Sequence, residues 1–463
     1  MRSRLLTMLA VFAVGVEVGV PQSASAGTQT FTGTVAKYGI VNHSATSKTI
    51  DTYLTCVAPA EVRVDLLNPD GTHLIWGTNN TGAAIDCNGT KQAAHKATVT
   101  AAGTAVRLSE VAGAATAYTL EVVTDAAPAR PVCNIAPANS ASAIANAVAS
   151  CSPGSTVKFP AGATYSLGGD TIRVDDQVDK IIDGNGSSFV KTVPSVYDAK
   201  KPNWMLVRPH QVTIRNMTIK GTHGGTGRTV DLSRNQWDAG LDVYGGVDFT
   251  AEDMWVEQVF GDFVTIQSEG GLLGDVRQGE KPLRVKVRRV TGVRAARQGL
   301  AVTAGSAIHL EDNSLTDCDA NCVDLEPDWH TVTLKDVHVL RNTINGHRFT
   351  AITVPRNGDE GTIDGIEIRA NKMLVQPDTC YPGIMIGDES PSGYNAYNVV
   401  ASGNTIKTYG DGVKYRDGAS GSVTGNSIQS MKGSGFCAPP TSAPVRLINS
   451  PNVEVGNNTS TGF

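Results

Sequence analysis

"LEDNSL", Leu310–Leu315, is one copy of a phrase that returns down the C-terminal half of the chain. It reads "LRNTI" at 340–344, "RANKM" at 369–373, "SGNTI" at 402–406, "TGNSI" at 424–428 and "VGNNT" at 455–459, with an earlier "IRNMTI" at 214–219. Each copy sets an Asn between two strand-like pieces, at positions 216, 313, 342, 371, 404, 426 and 457. From Asn313 onward the spacings are 29, 29, 33, 22 and 31 residues. An irregular period of this length marks a solenoid, because each unit is too small to bury its own apolar face and must stack on its neighbours. Asn suits a repeated corner: it tolerates the left-handed conformation, and stacked Asn side chains can hydrogen-bond along the stack. That ladder is read as structural.

Working upstream, "SASAIANAVASC" forms one short helix with Ile144 and Val148 on one side. "GSTVKFPAGATYSL" follows, two strand pieces framed by Gly and Pro. A helix, then a "FPAG.Y" turn, then Asn-cornered repeats resembles the pectate-lyase-like, right-handed parallel β-helix superfamily over residues 133–463. The resemblance implies an all-β solenoid capped by the helix. It does not fix the reaction, since one fold hosts lyases, hydrolases, epimerases and noncatalytic adhesins.

Residues 27–125 alternate like short strands separated by turns such as "NPDG", which predicts a β-sandwich accessory domain. "TDAAPARPV" carries the Pro/Ala linker at 126–132. At the start, Arg2 and Arg4 precede the apolar run "LLTMLAVFAVGV", and "ASA" ends at Ala26. Residues 1–26 read as a secretory signal peptide, too short for a membrane span. The formal charge is −5, and removing Arg2, Arg4 and Glu17 leaves −6. That mild value argues against nucleic acid as a partner. We expect a secreted, extracellular monomer without membrane insertion. Eight cysteines in an exported chain predict disulfides. Proximity pairs Cys56 with Cys87, Cys133 with Cys151 and Cys318 with Cys322, leaving Cys380 with Cys437. A metal reading lacks both a CxxC and nearby His.

Each coil should give one strand to a common sheet. Aligned by apolar pairs, these are "GLDVY" from Gly240, "FVTIQ" from Phe263, "GLAVT" from Gly299, "CVDLE" from Cys322, "AITVP" from Ala351, "GIMIG" from Gly383 and "GVKYR" from Gly412. Second and fourth positions point inward. The third gives Asp242, Thr265, Ala301, Asp324, Thr353, Met385 and Lys414 on an outer face. Asp324 and Glu326, alternate residues ~6.6 Å apart on a strand, fit the spacing of an inverting glycosidase pair, ~6.5–9.5 Å. They fit a wet sheet face as well.

Just ahead of these strands, "WDAG", "FGDF" and "ARQG" gather Trp237, Asp238, Asp262, Arg297 and Gln298 from three successive coils. Acids beside one Arg can be tuned apart into acid and base. Polygalacturonase-type members of the superfamily carry NTDG, DD and GHG in these places. Only Asp262 matches. Asp238 is displaced by one, Gly261 replaces the first Asp of the pair, Gln298 stands where the His would be, and the later RIK-type motif is missing. Those departures argue against pectin as the substrate.

The expected function is cleavage of a polysaccharide, with glycoside hydrolysis by paired carboxylates preferred. Candidate catalytic residues are Asp262, Asp238, Arg297, Asp324 and Glu326. Candidate substrate contacts are Asp242, Tyr244, Gln267, Gln298, Trp237, Trp329, His347, Arg348, Lys414 and Arg416, with Trp255 as a further aromatic platform. Hydrolysis requires no cofactor. The alternatives are a polysaccharide lyase, for which Asp238, Asp262 and Asp242 could hold Ca2+, and a noncatalytic glycan-binding surface protein.

Overall fold

The computed structural model describes residues 130–463 apart from 139, 195–199, 225–235, 276–277, 328–331, 348, 356–360, 375–379, 388–395, 418 and 432–441, together with the backbones of the strands between 27 and 124. The chain divides into two units, Met1–Ala129 and Arg130–Phe463.

In the first unit the strands form antiparallel sheets. One has the order Gly27–Val35, Thr116–Thr124, Thr49–Cys56, Gln92–Thr98; the other runs Ile40–Ala45, Thr104–Gly113, Ala60–Leu67, His73–Ile75, with Ala83–Asp86 also on Ala60–Leu67. Two antiparallel sheets are the make-up of the expected sandwich.

The second unit is a right-handed parallel β-helix. Among its described residues, strands run parallel in a long nineteen-stranded sheet and a ten-stranded sheet. Right-handed connection is the rule for parallel crossovers. Each coil crosses the long sheet on both sides of a corner and the ten-stranded sheet once. Early coils turn the corner inside one bent strand, such as Val178–Lys191 or Thr250–Val259; later coils split there, as in Gly305–Glu311 and Ser314–Cys318.

Inward side chains stack rung on rung. Leu241, Val264, Leu300, Val323, Ile352, Ile384 and Val413 are paired in sequence across the ten-stranded sheet and all are buried. Each contributes roughly 1.5–3 kcal/mol through burial. At the N-terminal end the helix Ala141–Ser150 buries Ala141, Ile144 and Val148 against the core. The Ser140 hydroxyl caps its start by accepting from the Ala143 N–H. The buried Lys180 ammonium donates to the Val148 and Ala149 carbonyls at its end. Cys133–Cys151 and Cys318–Cys322 are disulfides, and Cys380 is also disulfide-bonded. The sulfurs of Cys56, Cys87 and Cys437 lie outside the described residues.

The Asn ladder exists, with two corrections. It runs Asn313, Asn342, Asn371, Asn404, Asn426 and then Asn458 rather than Asn457; Asn216 lies outside it. The left-handed residues are not the ladder Asn but those just before: Asp312, Arg341, Ala370, Gly403, Gly425 and Asn457, with φ between 53° and 65°. The Asn turns inward instead. Its amide nitrogen donates to a carbonyl of the previous coil, and its oxygen accepts from the previous Asn, as Asn342 does with Leu310 and Asn313.

Candidate active site

The outer face of the ten-stranded sheet carries two polar columns. In mid-strand, Asp242, Thr265, Ala301, Asp324, Thr353, Met385 and Lys414 are register partners in that order. Two residues ahead of the inward Val264, Leu300, Val323 and Ile352 stand Asp262, Gln298, Asn321 and Thr350, and the Thr350 N–H donates to Asn321 Oδ1 at 3.1 Å. Asn321 and Thr350 were missed from the sequence, although their offset from the apolar pairs is that of Asp262 and Gln298.

The face is not wet. Asp242, Asp262, Asp324, Thr265, Gln267 and Gln298 are all at most 6% exposed. Tyr244 is fully buried, so it is no sugar platform. It packs with Met205 and Val207 beneath Leu272 of the short helix Gly270–Leu273.

Three carboxyls therefore share a dry environment. Asp242 accepts from Tyr244 at 3.2 Å and Gln267 at 3.1 Å. Burial and the Asp262 charge push its pKa up to about 7, against the pull of its hydrogen bonds. Asp262 is fully engaged: Arg297 donates to it at 3.0 Å, Thr265 at 3.2 Å and the Gln298 N–H at 3.0 Å. Burial still holds it above the usual carboxylate range. Asp324 is raised well above that range by burial first and the Glu326 carboxylate second; Arg297 opposes the shift.

Asp324 differs from Asp262 in its partners. The Gln298 side-chain amide donates to its Oδ2, while Oδ1 makes no well-formed hydrogen bond, though Asn321 lies beside it. Within one coil of it, the buried polar atoms Gln298 Oε1, Thr303 Oγ1, Thr350 Oγ1 and Thr353 Oγ1 also lack protein partners. Native interiors rarely leave such groups unpaired, and each one left calls for a reason such as strain, a bound water or ion, or a catalytic role. Glu326, next along the strand on the same face, is only partly buried.

No family model and no curated protein matches this chain. The solved structures to which it is similar at low identity include the following three. The catalytic unit of a GH87 α-1,3-glucanase from Streptomyces thermodiastaticus is 12% identical, covering 96% of this chain and 98% of its own, with a TM-score of 0.38. An endo-xylogalacturonan hydrolase from Aspergillus tubingensis is 12% identical over 72% of this chain and 95% of its own, at 0.43. An alginate lyase from Paenibacillus sp. is 11% identical over 72% and 100%, at 0.37. The fold stands on this chain's own strand pairings, and these likenesses assign it no reaction.

The remaining candidates lie as follows. The Asp238 carboxylate faces the buried Lys191 ammonium at 3.7 Å, and its backbone carbonyl accepts from the Gly261 N–H, next to Asp262, at 2.9 Å. A Cβ at Gly261 would lie 2.7 Å from the Gln236 carbonyl oxygen and 2.8 Å from Ala239 N, which accounts for Gly at that place. Trp237 is half-buried, with Arg297 5.6 Å and Lys200 5.4 Å from its ring centre. Lys414 is three coils beyond Asp324 in the same column, and Arg416 ends that strand beside Asp417. The His347 backbone belongs to the long sheet, paired with Cys318. Its side chain, Arg348 and Trp329 lie outside the described residues. Trp255 stands on the long sheet, away from the carboxylate columns.

Proposed function

We propose that this chain is a secreted carbohydrate-active enzyme that hydrolyses a glycosidic bond with Asp324 and Glu326. The observation that carries the reading is the ring of buried, unpartnered polar atoms around Asp324, whose pKa burial and the adjacent Glu326 carboxylate raise well above the usual carboxylate range. Neighbouring carboxyls pushed apart in pKa are the working parts of a glycosidase.

In this mechanism Asp324 gives its proton to the leaving glycosidic oxygen. Glu326 takes a proton from a water whose oxygen bonds to the anomeric carbon as the bond to the leaving group breaks. The spacing of alternate strand residues, ~6.6 Å, leaves room for that water and favours inversion. Asp262, Arg297 and Gln298 are positioning residues: Arg297 holds Asp262, and Gln298 ties Asp262 to Asp324. No cofactor is required. The reading takes 1–26 as an export signal and 27–125 as an accessory sandwich. The described disulfides fit an oxidising compartment, and no described helix is long and apolar enough to cross a membrane.

The test is a screen of the full chain on neutral and acidic polysaccharides, following new reducing ends and unsaturated product, with and without calcium. Reducing ends lost in both Asp324→Asn and Glu326→Gln, with folding intact, support the reading. Unsaturated product lost on chelation makes the chain a lyase. Turnover that survives both substitutions moves the chemistry elsewhere.

A further inference from the structure

Just past its corner the long sheet carries an outward column in register: Ser188, Thr218, Trp255, Thr291, Ser314 and Thr343. Five are small hydroxyl residues, which suit an exposed strand. Trp255 breaks the column and is 44% exposed. Its indole N–H donates to Glu257 at 3.0 Å, and Glu257 is paired with Lys220 at 3.0 Å. The ring is thus fixed with much of its surface open.

Beside it an open groove of about 500 Å³ runs across the corner, lined by Asn216, Asp253, Arg289, Thr218 and Thr291 among others. Its two charged side chains are paired, with Arg289 donating to Asp253 at 2.7 and 2.9 Å and to Glu252 at 2.9 Å. What remains is an aromatic plate flanked by hydroxyls one rung, ~4.8 Å, to either side, and an amide at the corner.

We propose that this groove is a second carbohydrate site, binding a segment of a neutral glycan chain. A pyranose offers an apolar C–H face to the electron-rich indole and a rim of hydroxyls to Thr218, Thr291 and Asn216. The internal Asp253–Arg289 pair leaves no spare cation for a uronate. The site lies on a different sheet from Asp324 and would tether polymer whether or not the carboxylate face turns it over.

The test is native gel electrophoresis of the full chain through starch, xylan, mixed-linkage β-glucan, galactomannan and polygalacturonate. At least one neutral polysaccharide should retard the wild type. Trp255→Ala should weaken that retardation at least tenfold, Trp255→Phe should restore part of it, and turnover of a short soluble substrate should change less than twofold in either variant. Retardation by none of the neutral polymers, retardation unchanged in Trp255→Ala, or retardation by polygalacturonate alone would each overturn the proposal. So would a dimer abolished by Trp255→Ala without glycan binding, since the plate would then be a contact between copies of the chain.

Discussion

Asp262 and Asp324 stand two coils apart and are joined through one residue: the Gln298 N–H donates to Asp262 at 3.0 Å, and the Gln298 side-chain amide donates to Asp324. Asp262 in turn is held by Arg297 and Thr265. A carboxyl with three hydrogen bonds is a poor proton donor, whereas Asp324, with one oxygen free of any well-formed hydrogen bond, is suited to the task.

Gln298→Ala keeps the backbone bond to Asp262 and removes the amide that orients Asp324. A positioning role predicts a fall in kcat of about 10–100-fold, within the range for misplacing a catalytic group, with KM nearly unchanged. Steady-state kinetics on the best substrate decide it. An unchanged kcat would remove Gln298 from the mechanism.

Arg297 lowers the pKa of Asp324, and its influence there outweighs the opposing Asp262 charge. If Asp324 is the general acid, activity is lost as pH rises through its pKa. Arg297→Met should therefore move the alkaline limb of the kcat/KM profile upward, even as the maximum falls. A downward shift would contradict the assignment.

Asp242 bears on stability. Its folded pKa of about 7 exceeds the ordinary aspartate value of 3.8. The folded state therefore binds its proton more tightly, and the contribution is fully present below the unfolded pKa. It is lost as pH rises to about 7, on the order of a few kcal/mol. Asp242→Asn should flatten the fall in Tm between pH 4 and pH 7. A variant as pH-sensitive as the wild type would place the titration elsewhere.

The coil register was legible because apolar residues at the second and fourth positions of each strand define a period of two. They place Asp242 through Lys414 in one column, as observed. The strands Ile172–Asp175, Trp204–Val207 and Val445–Ile448 extend the same sheet. They escaped notice because the aligned set ran only from Gly240 to Arg416. Burial of the acid face was illegible for another reason: the alternation that turns a side chain outward does not say what packs over it. The pairing of Asp238 with Lys191 was equally hidden, since Lys191 lies on an earlier coil.

The corner chemistry yields the sharpest test of the solenoid itself. Ala370 is exposed at φ 57°, a conformation that disfavours any residue with a Cβ. Ala370→Gly should stabilise the coil by up to about 1 kcal/mol, offset in part by the greater freedom of Gly in the unfolded chain. Asn371, one residue on, is fully buried; its oxygen accepts from the Asn342 N–H and amide, and its own amide donates to the Val339 carbonyl and to Asn404. Asn371→Ala would leave several of those groups buried without partners, at a cost of about 3 kcal/mol or more. The two neighbours should thus shift Tm in opposite directions. Were Asn371 the left-handed residue, as the sequence first suggests, Asn371→Gly would be benign; on the observed geometry it should cost about as much as Asn371→Ala.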